Sequence, residues 1–367
     1  MTEVQARLAE LRTALPEKEI DALLVTTPEN RRYLTGFTGS AGLLLVTRTA
    51  AHLVADGRYY ERVGQEAPDV LLVRGGTAPL DALEPLVAET GVARIGFEAD
   101  HVTVAQLEKF QRKVPKAEWV PIAGMVERLR LVKSASELAA LRRALALADR
   151  AMEHAWAVVL PGMTERELAW RIEVFMREHG AQAVAFDLIV AAGEHGALPH
   201  HASGARPIAA GEPIVVDIGA RLDGYHSDLT RTFTLGPATD PEYAHVWHVV
   251  EAANQAGRAA LRAGATGVEV DRAARGVIEA AGYGEAFGHG LGHGVGLQIH
   301  ESPRLSPAAD EVPLSLGSVV TIEPGIYLPG RFGVRIEDVA VIGPGGAEIL
   351  TGVAKPMVVE PAAMAVS

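Results

Sequence analysis

Two segments of this chain carry acids where buried strands should carry none. PIVVDIGARLDGYHSDLTRTFTL (213–235) and VVTIEPGIYLPGRFGVRIEDVAVI (319–342) each read as a β-hairpin, the first turning at Asp223-Gly224 and the second around Pro329 to Gly333. Each has one acid on each arm, Asp217 and Asp228 in the first, Glu323 and Glu337 in the second. Asp217 ends the apolar run IVV, Glu323 follows VVTI, and Glu337 lies within VRIEDVAVI, so these acids emerge from strands built for burial. With a two-residue loop, Asp217 pairs opposite Thr230 and diagonal to Asp228, whereas a looser turn centred one residue earlier would put the two acids directly opposite. Diagonal neighbours lie about 7 to 8 Å apart at Cα, close enough for both carboxylates to reach one ion or an ion pair. Glu323 and Glu337 share a parity and can converge in the same way. A lone acid in a hairpin is ordinarily a solvated surface residue. A buried group of four stays ionised only if cations compensate it, and two divalent metals would do so. The matching arms point to a two-fold internal pseudo-repeat.

A nitrogen donor is available in FGHGLGHGVGLQIHESPR (287–304), with histidines at 289, 293 and 300. On a helix His289 and His293 would share a face. Glycines at 288, 290, 292, 294 and 296 oppose that reading, because each costs a helix about 1 kcal/mol against alanine. The stretch is better read as extended chain whose glycines let another backbone or a ligand approach closely. His289 and His293 would then stand roughly 13 Å apart along a straight strand, whereas a metal holds imidazole nitrogen at roughly 2.0 to 2.1 Å. At most one of them binds a given metal. His300 has the opposite parity and reaches the same site only if the chain bends near Leu297. One imidazole with four carboxylates is a hard donor set suited to Mn²⁺, Co²⁺ or Fe²⁺, with Zn²⁺ also accommodated. Two such ions roughly 3.5 to 4 Å apart favour amide hydrolysis.

The rest of the chain sets bounds. Its 367 residues allow two or three domains, and 48% hydrophobic with 22% charged residues reads as globular and soluble. A net charge of -12 with no basic patch argues against a nucleic-acid partner. The absence of cysteine excludes disulfides, thiol nucleophiles and cysteine zinc sites. No signal-peptide pattern and no run of 18 or more apolar residues is visible, so a cytoplasmic protein with no membrane association is expected. Residues 1 to about 125 alternate β-like runs (DALLVTT, AGLLLVT, DVLLVRG, RIGFEA) with helical stretches such as Thr103 to Lys113. A long helix should follow a capping signal at Ser134 and Ser136, and another should start at Thr164 with Glu167 in the capping-box position.

At these residues the chain resembles the pita-bread metallopeptidases, and within them the Xaa-Pro peptidases (prolidase and aminopeptidase P). The resemblance rests on VVDIGARLDGYHSDLTRT, GLGHGVGLQIHESPR, TIEPGIY and VRIED, and outside that half on NRRYLTGFTGSAG (30–42) and LRLVKSASELAALRRA (129–144). It implies an α/β (α+β) fold in three parts. These are an N-terminal α/β creatinase-like domain (1–128), a pita-bread catalytic domain with internal pseudo-two-fold symmetry (129–356), and a C-terminal tail (357–367). It implies that Asp217, Asp228, His293, Glu323 and Glu337 bind two metals, Mn²⁺ first among the candidates, with Asp228 and Glu337 bridging and Glu323 also serving as general base and then acid. His200 and His300 would meet the substrate, His300 at the reacting carbonyl, and His289 would support proton transfer or substrate contact. Arg304 matches an arginine that in some prolidases pairs with a dipeptide's free carboxylate, although the same HESPR form also resembles short bacterial aminopeptidase P relatives. Arg335, two residues before Glu337, would share its face and brace the metal carboxylates. Phe186 and Ile189 are candidates for an apolar wall against the proline ring, with core packing an equal reading. Tyr327 and Tyr225 are read as packing residues ahead of active-site hydroxyls, and His195 and His201 as loop residues.

The leading expectation is therefore a homodimeric Xaa-Pro dipeptidase. An Xaa-Pro amide has no N–H and a fixed φ, so a site that does not rely on that donor is required. The alternative is an aminopeptidase P acting on longer peptides with proline second, and a more remote one is a non-catalytic pita-bread module. Such a module should have lost ligands, and all five are present. Methionine aminopeptidases usually lack the N-terminal domain, and creatinase lacks the metal set.

Overall fold

A computed structural model describes residues 1–360. The chain divides into two compact units, Met1–Arg130 and the residues from Leu131 onward, two residues later than the sequence places the boundary.

The first unit is built on strands β1 (Ala22–Val25), β2 (Leu43–Thr47), β3 (Ala51–Ala55), β4 (Leu71–Arg74), β5 (Arg94–Glu98) and β6 (Glu118–Ile122), in the sheet order β4-β3-β2-β1-β5-β6. With them go helices α1 (Glu3–Ala14), α2 (Pro28–Thr35), α3 (Tyr60–Glu66), α4 (Leu83–Thr90), α5 (Val104–Lys113) and α6 (Met125–Arg130). The four apolar runs read from the sequence supply β1, β2, β4 and β5. The sequence reading missed β6, which carries Glu118 and Pro121. It lies at the sheet edge against β5, the position where a proline's missing donor is tolerated.

The second unit repeats one plan twice. In its first half α7 (Ala135–Val158) and α8 (Glu165–Glu178) start at capping boxes, Ser134 with Glu137 and Thr164 with Glu167. In its second half α9 (Tyr243–Ala260) leads to α10 (Gly267–Ala280), which starts at the box formed by Thr266 and Glu269. Leu168, Ile172 and Met176 of α8, and Val270, Ala274 and Ile278 of α10, recur every fourth residue and are fully buried. Each stripe packs into its own half's core, and full burial of a large apolar side chain stabilises by about 1.5 to 3 kcal/mol.

The strands repeat as well. The first half contributes β7 (Ala183–Val184), β8 (Ile189–Ala192), β9 (Pro213–Ile218), β10 (Ala220–Leu222), β11 (Tyr225–His226) and β12 (Leu229–Leu235). The second contributes β13 (Gly292–Gly294), β14 (Glu301–Leu305), β15 (Val319–Ile322), β16 (Gly325–Leu328), β17 (Phe332–Arg335), β18 (Asp338–Gly343) and β19 (Gly346–Ile349). Antiparallel β8-β9-β12 in one sheet matches antiparallel β13-β15-β18 in the other. Isolated bridges Thr164 to Pro207 and Thr266 to Pro313 match too. The pseudo-two-fold plan is thus explicit in the topology.

Register then delivers the acids. Asp223 (φ 48°) and Gly224 (φ 71°) form a two-residue left-handed turn, and the pairing that follows sets Asp217 opposite Thr230. In the second hairpin Ile322 pairs with Asp338 and Gly325 with Arg335, which leaves Glu323 facing Glu337. The expected tail needs correction at its start, since β20 (Val358–Val359) pairs in parallel with β12. Residues 361–367 of that tail lie outside the described residues.

Candidate metal centre and active site

Asp217 sits near the end of β9, Asp228 just before β12 and Glu337 just before β18, so strand register rather than loop placement converges them. One oxygen of each lies within 4.8 Å of the others, and all three residues are buried. Arg335 Nη2 donates to Asp217 Oδ2 at 2.6 Å, and Thr230 Oγ1 donates to Glu337 Oε2 at 2.9 Å. Asp217 Oδ1 is buried with no hydrogen-bond partner, which ordinarily costs about 1 to 3 kcal/mol, more for a charged group. Burial and neighbouring carboxylates push the Asp228 and Glu337 carboxyls well above their ordinary range, and burial raises Asp217 despite Arg335. A carboxylate oxygen left bare in such a place suits a cation.

His293 and Glu323 complete the group. His293 Nε2 stands 3.5 Å from Asp228 Oδ2 and 3.3 Å from Glu323 Oε1. Its Nδ1 faces the Gly294 carbonyl at 2.9 Å, so Nδ1 carries a proton and Nε2 is the atom offered to the acids. Without a metal, burial would lower this imidazole's pKa, but Glu323 and Asp228 raise it to about 9. Thr321 Oγ1 donates to Glu323 Oε1 at 3.2 Å and accepts from His293 N at 3.0 Å, fixing both residues. Burial raises the Glu323 carboxyl, yet the adjoining imidazole more than offsets this and holds it below its ordinary value. The chain is extended only over β13 and bends from Gly296 to His300, which brings the His300 ring to 4.4 Å from that of His293. A Cβ at Gly292 would run into the Thr321 carbonyl, so the glycine permits the close strand approach expected of it.

Arg335 lies where parity placed it, touching Asp217, and its Nη1 donates to Tyr327 Oη at 3.0 Å. Tyr327 in turn meets His289 Nε2 at 2.9 Å, and His289 Nδ1 faces the Gly290 carbonyl at 2.8 Å. The donors run one way, from guanidinium to phenol to imidazole to carbonyl. Burial lowers the His289 pKa, in keeping with a neutral ring. His200, His300 and Arg304 are exposed, and His200 and Arg304 are both near enough to lower the His300 pKa electrostatically, after burial and His293. Ile189 pairs with Asp217 and is buried beside Ala191 and Val215, whereas Phe186 is half-buried near Gly219.

The sequence left some of this unread. Tyr327 is a working hydroxyl of the cluster, while the Tyr225 hydroxyl donates to Glu137 instead. Thr230 orients Glu337, and Thr321 orients His293 and Glu323, which only strand parity with the acids hinted at. His195 and His201, expected as loop residues, converge on the buried carboxylate of Glu165.

Four carboxylates, one imidazole whose Nε2 faces two of them and an orphaned Asp217 oxygen form a donor set that fits divalent metal. The class so defined is a divalent-metal protein. Residues 139–344 match metallopeptidase family M24, and residues 7–132 match the Creatinase/Prolidase N-terminal domain. The chain is 35% identical to the Xaa-Pro dipeptidase of Pyrococcus furiosus, over 95% of this chain and 98% of that protein. Its structure resembles the Xaa-Pro dipeptidase from Bacillus anthracis (TM-score 0.94, 38% identity, 97% of this chain and 99% of that one). It also resembles the X-Pro aminopeptidase from Thermotoga maritima (TM-score 0.87, 35% identity, 93% and 98%). The chain belongs to metallopeptidase family M24, with a creatinase/prolidase N-terminal domain and a pita-bread catalytic domain. Among the described residues no helix is long and apolar enough to cross a membrane.

Proposed function

We propose that this enzyme is an Xaa-Pro dipeptidase, a prolidase, whose centre holds two divalent ions on Asp217, Asp228, His293, Glu323 and Glu337, with Mn²⁺ the first candidate. The observation that carries the reading is the buried carboxylate group, four acids that Arg335 and His293 together cannot neutralise. Bound ions supply polarisation of the scissile carbonyl and a water that ionises near neutral pH.

The protein's own groups do the rest. Glu323 takes a proton from the attacking water and passes it to the prolyl nitrogen as the C–N bond breaks. His300 donates to the carbonyl oxygen as it gains charge, and His200 contacts the substrate beside the prolyl ring, with Phe186 and Ile189 as its apolar wall. His289 and Tyr327 keep Arg335 aimed at Asp217. Arg304, whose Cα pairs with that of His293, takes the free carboxylate of the dipeptide.

Two assays test this. The Mn²⁺-loaded enzyme should cleave Ala-Pro much faster than Ala-Pro-Ala. Comparable rates would favour the aminopeptidase alternative, and cleavage of neither would sink the function. Arg304→Ala should raise KM for Ala-Pro about 10- to 100-fold with little change in kcat, as expected for loss of a charged contact present in both bound states. An unchanged KM would remove Arg304 from the site. The cytoplasmic homodimer expected from the sequence belongs to the same proposal. Sedimentation should give twice the 38.8 kDa chain mass.

A further inference from the structure

Glu165 opens α8 directly after its N-cap Thr164, and its side chain is fully buried. It is nevertheless saturated with donors. Oε1 accepts from Ala192 N at 3.0 Å and meets His195 Nδ1 at 2.9 Å. Oε2 accepts from Gly204 N at 3.0 Å and meets His201 Nε2 at 2.9 Å. The two imidazole rings pack with centroids 4.3 Å apart. These contacts fall at the beginning, middle and end of one segment, residues 192–204, whose interior structure is a short helical turn, Gly193–Ala197. That segment carries His200.

Its other anchor leads to the metal group. Arg335, bonded to Asp217, also donates to the Pro199 carbonyl at 3.5 Å. Gly196 and Gly333 approach so closely that neither tolerates a Cβ without displacement. His200 therefore stands between Pro199, tied to the metal-side arginine, and His201, tied to Glu165. Burial raises the Glu165 carboxyl, but the four donors outweigh it and leave it below its ordinary value. A metal ion at this group would have to displace both imidazole hydrogen bonds, because each oxygen already accepts two.

We propose that Glu165 is a positioning residue for His200, acting through His195 and His201 to hold the 192–204 segment in its working geometry. This rests on the proposed function in giving His200 its substrate contact. An amide in place of the carboxylate offers one accepting oxygen and turns an NH₂ toward a donor, so the segment loses its anchor while the fold around it keeps its shape.

The test is a double-mutant cycle on Mn²⁺-loaded full-length enzyme with Ala-Pro. Glu165→Gln should lower kcat/KM about 10- to 100-fold, in line with the cost of a misplaced contact group. In a His200→Ala background the same change should cost less than about threefold, since the two act as one unit. Metal content should stay unchanged, and His201→Gln, which keeps a donor, should retain far more activity than His201→Ala. Equal losses in both backgrounds, or a loss under about twofold in the first, would overturn the proposal. Imidazole ¹H–¹⁵N spectra of the metal-free protein read His200 without any substrate. The His200 signal should shift in Glu165→Gln, and an unmoved signal overturns the proposal even if Ala-Pro proves not to be the substrate. Should Glu165→Gln fail to fold, His201→Ala takes its place in both measurements.

Discussion

The Asp228→Asn enzyme is expected to lose roughly 10³-fold of its activity toward Ala-Pro, several kcal/mol of transition-state stabilisation, and yet to melt above wild type when both are metal-free. The two effects have one cause. Asp228 is buried among other carboxylates, so it should bind metal when cations are present and burden the fold when they are not. The sign follows from its raised folded pKa. Below the ordinary carboxylate value, about 3.9, the group is protonated in both folded and unfolded chains and costs nothing. As pH rises toward the folded value, the unfolded chain ionises first and wild type loses stability. The variant's advantage should therefore be larger at pH 8 than at pH 4 in chelator. His293 acts in the same direction in wild type, because its metal-free pKa of about 9 gives stability that is lost as pH rises through that value. Differential scanning calorimetry with EDTA at both pH values decides this. An Asp228→Asn protein that melts below wild type at pH 8 would mean that the acid is already compensated without metal.

The second large effect separates two histidines seven residues apart. His300→Ala should lower kcat by about 10² to 10³-fold, the usual loss for one donor to a developing oxyanion, and leave bound metal unchanged. His293→Ala should lose metal. The structure motivates the division, since His293 Nε2 points at Asp228 and Glu323 whereas exposed His300 touches the group only ring against ring. Metal content by plasma mass spectrometry alongside kcat checks it, and equal loss of metal from both variants would refute it.

How much of this the sequence could say depends on the range of the forces involved. The acid placement was readable because it needs only a turn and a two-residue period. Asp223-Gly224 fixes the loop, the loop fixes the register, and the register puts Asp217 opposite Thr230. Caps at Ser134 and Thr164 were readable for the same local reason. Parity alone points the His300 ring away, and only the bend after Gly296 returns it to His293. Contacts made across long separations were not readable. Nothing local marks Glu165 as the partner of His195 and His201, or Tyr327 as the bridge from Arg335 to His289. Edge strand β6 was hidden by its proline, and β20 by its position after the last recognisable motif.

The central claim is that the buried acids exist to hold metal. Dialyse the protein against chelator, reload it with Mn²⁺, remove free ion and count metal per chain by plasma mass spectrometry. Wild type should retain two ions per chain, and His293→Ala and Asp228→Asn fewer. A folded wild-type protein that retains no divalent ion under any loading condition would contradict it and leave a pita-bread fold with a binding role instead of a hydrolytic one.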